Sequence, residues 1–141
     1  MLVLSTVLVT AGLMLYAQPA PKVMGSAAYD WNGIEAKPTT TGFSRRVLDG
    51  PTPTLENLEC HVTTLNPGQS PHPPHRHAHE ELFIVKEGQV EALVNGEWIK
   101  VGPGSVVFQA SNSLHGIRNS GAVPATYHVI SWRTPATKPD N

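Results

Sequence analysis

The stretch at residues 89–108, QVEALVNGEWIKVGPGSVVF, leaves little room for anything but short antiparallel strands. Residues 89–94 are too few for a stable helix, and they run into Asn95-Gly96. That dipeptide favours a type I′ hairpin turn, because both central positions of the turn need positive φ. Residues 97–101 lead back, Gly102-Pro103-Gly104 turns the chain again, and residues 105–108 start the next strand. The same punctuation governs the rest of this half of the chain. Residues 58–65 alternate, with Leu58, Cys60, Val62 and Thr64 on one face, and stop at Asn66-Pro67-Gly68. Residues 81–86 stop at Glu87-Gly88, and 114–119 and 125–132 complete the train. With 13 prolines and 12 glycines in 141 residues, turns are frequent and long helices are excluded from the body of the chain. The expectation is one modest all-β domain, a sandwich or barrel.

The two ends differ in character. Residues 1–17, MLVLSTVLVTAGLMLYA, are apolar and shorter than the roughly 20 residues that a membrane-spanning helix needs. They read as a signal peptide for export to a secreted or periplasmic location, with a retained N-terminal membrane anchor as the alternative. Residues 18–56 read as an irregular N-terminal arm. FSRRVL forms a short edge strand within it, and Tyr29, Trp31 and Phe43 pack the arm on the domain. The barrel is expected at residues 57–134 and a C-terminal tail at 135–141.

Ten basic against eleven acidic residues, without charge blocks, argue against a nucleic-acid partner. Cys60 is the only cysteine, so no disulfide forms within the chain. There is no nucleophile elbow, phosphate loop or C-x-x-C pair.

What remains is the histidine-rich segment SPHPPHRHAHEELFIVKEG at residues 70–88. Along an extended strand, side chains two apart share a face. His75, His77 and Glu81 have one parity, so two imidazoles and a carboxylate can converge in a way that suits a divalent metal. Parity would send His79 the same way, so either a bulge or turn between Ala78 and Glu80 redirects it or it supports the ligands from behind. The competing reading is a proline-flanked polar loop, or a nonspecific metal-sequestering tract spanning residues 72–79.

The segment gains a counterpart downstream in GSVVFQASNSLHGIRN, residues 104–119. Together the two resemble the paired motifs of the cupin superfamily, in its small single-domain form. The first runs Gly68, six residues, His75-Arg76-His77, three residues, Glu81, six residues, Gly88. The second runs Gly104, five residues, Ala110-Ser111-Asn112, two residues, His115, three residues, Asn119. Ala110 replaces the usual proline and Asn112 the usual glycine. Asn is the non-glycine residue that best tolerates positive φ.

The resemblance implies a single jelly-roll β-barrel, usually paired as a homodimer. It also implies His75, His77, Glu81 and His115 as ligands of one divalent transition metal, whether Fe, Mn, Ni, Cu, Co or Zn. No other cofactor is called for. Glu81, Phe83 and Val85 should face inward. Leu82 and Ile84 should face outward, beneath the arm or a second subunit. A metal with open positions fits an oxygenase or isomerase acting on a small chelating or anionic ligand. The alternative is a module that binds or senses such a ligand without turnover. His72 at the barrel mouth is the one candidate acid–base catalyst, against a plain surface role. Arg76 should point away from the ligands into an ion pair. His61 and His128 either line the cavity or face outward. Asn119 is expected to be a structural hydrogen-bonder.

Overall fold

The computed structural model describes residues 21–138. A 3-10 turn at Trp31–Gly33 precedes nine strands: β1 (Lys37–Thr39), β2 (Gly42–Gly50), β3 (Asn57–Leu65), β4 (Glu80–Glu87), β5 (Val90–Val94), β6 (Glu97–Val101), β7 (Val106–Gln109), β8 (Gly116–Arg118) and β9 (Ala125–Arg133). They form two antiparallel sheets, one ordered β1-β2-β3-β9-β4-β7 and the other β6-β5-β8. The Asn95-Gly96 turn has φ of 51° and 87°, positive at both positions as the hairpin requires. Among the described residues no helix is long and apolar enough to cross a membrane. The export signal expected at residues 1–17 lies outside the described residues.

The inner faces of the two sheets close on a core that includes Leu65, Phe83, Val85, Val90, Ala92, Ile117, Tyr127 and Val129. Each large apolar side chain buried there contributes about 1.5–3 kcal/mol. Strand β4 shows the expected alternation, with Glu81, Phe83 and Val85 buried and Leu82 and Ile84 half-buried on the outside.

Register across the large sheet sets the cavity wall. One inward row runs Gln109, Glu81, Ser131, Glu59 across β7, β4, β9 and β3. The next row runs Val107, Phe83, Val129, His61. The first row is polar throughout, and the second is apolar until it ends at His61 on β3.

The arm is more regular than its sequence suggests. β2 has nine residues and lies between β1 and β3, so FSRRVL is part of an inner strand and not an edge. Its two-residue alternation is broken by a register shift between Arg46 and Leu48, which hides the strand in the sequence. The sheet therefore begins at Lys37, well before the expected boundary at residue 57. Trp31 lies between the Arg45 guanidinium, 4.6 Å from its ring centre, and the Lys86 ammonium, 3.8 Å away, which fastens the arm to the sheet exterior. Tyr29 and Phe43 are each 46% exposed and do little of that packing. On the outer face of β7, Val106 and Phe108 remain exposed.

Candidate metal centre

His75 and His115 occupy segments that meet through a lone β-bridge. Each backbone N–H donates to the other's carbonyl at 3.0 Å. This pair of hydrogen bonds locks the two histidine-bearing segments together. His77 follows His75 by two residues, and the chain then bends at Ala78–His79 before β4 begins at Glu80. The three donors of the first segment do not share one straight strand, as parity suggested. The bend brings Glu81 back under the imidazoles.

The donor atoms of His75, His77 and His115 lie within 4.8 Å of one another. Glu81 Oε1 lies 3.6 Å from His77 Nε2 and 3.0 Å from His115 Nε2. The carbonyls behind two rings fix their orientation. His77 Nδ1 donates to His79 O at 2.8 Å, and His115 Nδ1 donates to Ser113 O at 2.8 Å. A carbonyl only accepts, so each Nδ1 carries a proton and each Nε2 faces the cluster. His115 is 1% exposed and Glu81 7% exposed. The buried His75 Nδ1 lacks a hydrogen-bond partner, and His115 Nε2 has only the Glu81 carboxylate, 3.0 Å away. A buried polar atom left without a partner costs about 1–3 kcal/mol. Donor type, convergence and the orphaned nitrogen together fit a divalent transition metal.

Electrostatics are strongly perturbed. Burial, reinforced by the charges of His72, His115 and His77, lowers the His75 imidazole to about 4. Burial also acts to raise the Glu81 carboxyl, but His115, His77 and His79 outweigh it and hold the group below its ordinary value. For His115 burial acts downward, and the neighbouring Glu81 carboxylate prevails and raises it. Burial pushes the Tyr127 phenol up, against a lowering contact from Thr63, so it stays a neutral O–H.

The other histidines find distinct places. His79 is not turned away: its ring stacks on His77 at 3.5 Å and 4°, and its carbonyl orients that ring. Its donor atom also lies within 4.8 Å of those of His77 and Glu81. His72 is exposed at the mouth, edge-on to His75 at 4.3 Å. His61 lines the cavity, whereas His128 lies opposite Val62 and Ile84 on the outer face. Arg76 does point away, but its partner is the Asn112 carbonyl and not an acid. Asn112 has φ of 58°, the conformation its glycine-like position demands. Asn119 is buried and fully engaged. It donates to Leu65 O and Val123 O and accepts from Gly121 N.

Beside the cluster lies a cavity of about 370 Å³. Its walls are apolar at Phe83, Ile117 and Val129, and polar where Glu59, His61 and Ser131 meet. Glu59 and Ser131 were missed in the sequence. Strand parity carried the signal, since the face opposite Leu58, Cys60 and Val62 is the one that holds Glu59, His61 and Thr63.

Comparison with known proteins agrees with this architecture. KdgF from Halomonas sp. superposes with a TM-score of 0.64 at 18% identity, covering 79% of this chain and 97% of that one. The polyketide cyclase RemF from Streptomyces resistomycificus gives 0.61 at 20% identity, covering 83% and 85%. A sugar phosphate isomerase from Silicibacter pomeroyi gives 0.60 at 19% identity, covering 77% of each chain. At such identities the likeness carries the fold alone. No curated protein matches the chain in sequence. The family model of the cupin domain matches residues 61–131, half of the chain and both histidine-bearing segments, and the protein belongs to the cupin superfamily.

Proposed function

We propose that His75, His77, Glu81 and His115 hold one divalent transition metal, and that the adjoining cavity takes a small chelating or anionic organic ligand for metal-dependent conversion of the oxygenase or isomerase class. The observation that supports this most is the pair of carbonyl-oriented rings, His77 and His115, whose Nε2 atoms face one carboxylate oxygen at the cavity wall. When bound, the cation supplies Lewis acidity that stabilises negative charge on a ligand oxygen. With a single carboxylate among four donors, a divalent site keeps a net charge near +1, which favours anionic ligands. The chain's own part is to exclude water with Phe83, Ile117 and Val129, and to hold the ligand against the polar wall.

The test is metal analysis of purified protein beside His115→Ala and His72→Ala. Loss of metal in the first and retention in the second is expected. Full occupancy in His115→Ala would overturn the four-donor site and favour sequestration by the 72–79 tract. Oxygen uptake by the iron, manganese, nickel and copper forms, against catechols, flavonols and keto acids, tests turnover. Clear ligand binding without turnover in any form would instead make the protein a sensor.

The same proposal includes export directed by residues 1–17, and a homodimer formed over the outer face of β4 and β7. There Leu82 and Ile84 pair with the exposed Phe108 and Val106.

A further inference from the structure

Across the cavity from the histidine cluster, Glu59 and His61 project from β3 into the same space. Their side chains are joined, with His61 Nδ1 2.7 Å from Glu59 Oε1. Glu59 is held in turn by the Ser131 hydroxyl, which donates to Oε2 at 3.4 Å. A carboxylate accepts, so Nδ1 carries a proton, and in the neutral ring Nε2 holds the lone pair. The polar row places Glu59 level with Glu81, and β9 alone separates their strands. Their backbones are then roughly 10 Å apart, two strand spacings. Ser131 lies directly between Glu59 and Glu81, while the row that starts at His61 runs over the apolar side chains of Val129 and Phe83 toward the cluster. A cavity built this way has two recognition points and a greasy span between them. The metal centre as such has no use for the second point.

We propose that His61, oriented by Glu59, is a specificity residue: its Nε2 accepts a hydrogen bond from a hydroxyl at the far end of a ligand whose chelating head lies at the histidine cluster. This rests on the metal-binding reading above and narrows the ligand class to hydroxylated chelators with a flat or apolar middle. A second carboxylate at the far end is disfavoured, because Glu59 already places a negative charge there.

The test uses two hydroxypyranones with the same chelating oxygens. Kojic acid carries a hydroxymethyl group where allomaltol carries a methyl group. Both are titrated calorimetrically into zinc-loaded full-length protein, with affinities expressed per zinc bound. Wild type should prefer kojic acid by about two- to tenfold, the range for one net hydrogen bond. The preference should fall to about one in His61→Phe, and return in part in His61→Gln, which keeps a polar group at the position. A ratio of one in wild type, or one that survives His61→Phe, would overturn the assignment. Zinc-loaded protein that binds neither pyranone would overturn this inference alone, whereas failure of the protein to take up zinc at all would show that the metal reading beneath it is wrong. An independent reading needs no metal. The imidazole ¹H–¹⁵N spectrum of the metal-free protein should show His61 protonated at Nδ1 with Nε2 bare, and a ring protonated at Nε2 would sink the proposal.

Discussion

His75 and His115 exchange both of their backbone hydrogen bonds, each at 3.0 Å, although their segments come from opposite halves of the domain. The centre is thus closed by main-chain geometry before any side chain is considered. The imidazoles, with ring centres 4.5 Å apart, inherit their proximity from that bridge.

Metal binding should release a proton. His75, lowered to about 4, is already neutral near pH 7, whereas His115, raised by Glu81, retains its proton more strongly than a free imidazole. A cation must displace that proton to reach Nε2. Calorimetry of zinc binding near pH 7 in buffers of differing ionisation enthalpy should show net proton release. A count of zero would contradict the charge assignment at His115.

The metal-free protein should have a stability maximum near pH 6.5. His75 drops from 6.5 to about 4 in the native state, so the unfolded chain binds the extra proton across that window and stability falls as pH falls through it. Glu81 is lowered from 4.5, so its contribution is present above that value and is lost as pH falls through the lower native one. His115 is raised from 6.5, so its contribution is complete below 6.5 and is lost as pH rises through the higher native value. Urea midpoints across this range test the curve, and His75→Gln should flatten the limb between about 4 and 6.5.

Asn119→Ala should destabilise the fold by about 3 kcal/mol, because it strands Leu65 O, Val123 O and Gly121 N in the interior. Equilibrium denaturation measures this directly. A change under about 0.5 kcal/mol would mean that these groups find other partners.

Gly88→Ala should cost more than about 2 kcal/mol. Gly88 has φ of 75°, and a Cβ there would come within 2.7 Å of Ala125 Cα and Pro124 O. Both obstacles are backbone and cannot swing aside. Thermal unfolding of the variant is the check.

Phe108→Glu should turn a dimer into a monomer. Phe108 is half exposed, stacks near Trp132 at 6.5 Å, and pairs across strands with Leu82. Sedimentation velocity should give twice the chain mass for wild type and the single chain mass for the variant. A monomeric wild type would remove the homodimer from the proposal.

What the sequence disclosed follows from what is local. The hairpin at Asn95-Gly96 and the alternation of Glu81, Phe83 and Val85 are written in neighbouring residues, and both are found as expected. The meeting of His75 with His115 required the resemblance of two distant motifs, because no local rule relates them. β2 was read as short and marginal, because its shift at Arg46/Leu48 interrupts the period and its Ser, Arg and Asp side chains do not mark a buried face. The Glu59–His61 pair was within reach of parity, but that it faces the cluster depends on the register of β3, β9 and β4 together. Register over three strands is a tertiary property.

Of the four donors, only Glu81 is seated within a regular strand; His75, His77 and His115 ride on the bend and the bridge that flank it. Groups carried on connecting segments move more cheaply than groups fixed in a sheet. His75 and His115 are tied to each other by the bridge, so on the proposed reading the freedom to fit ions of different radius falls to His77 on the bend, with the carboxylate held in its strand. On that reading the two-residue bend at Ala78–His79, more than the sheet, would decide which ionic radii the site accepts.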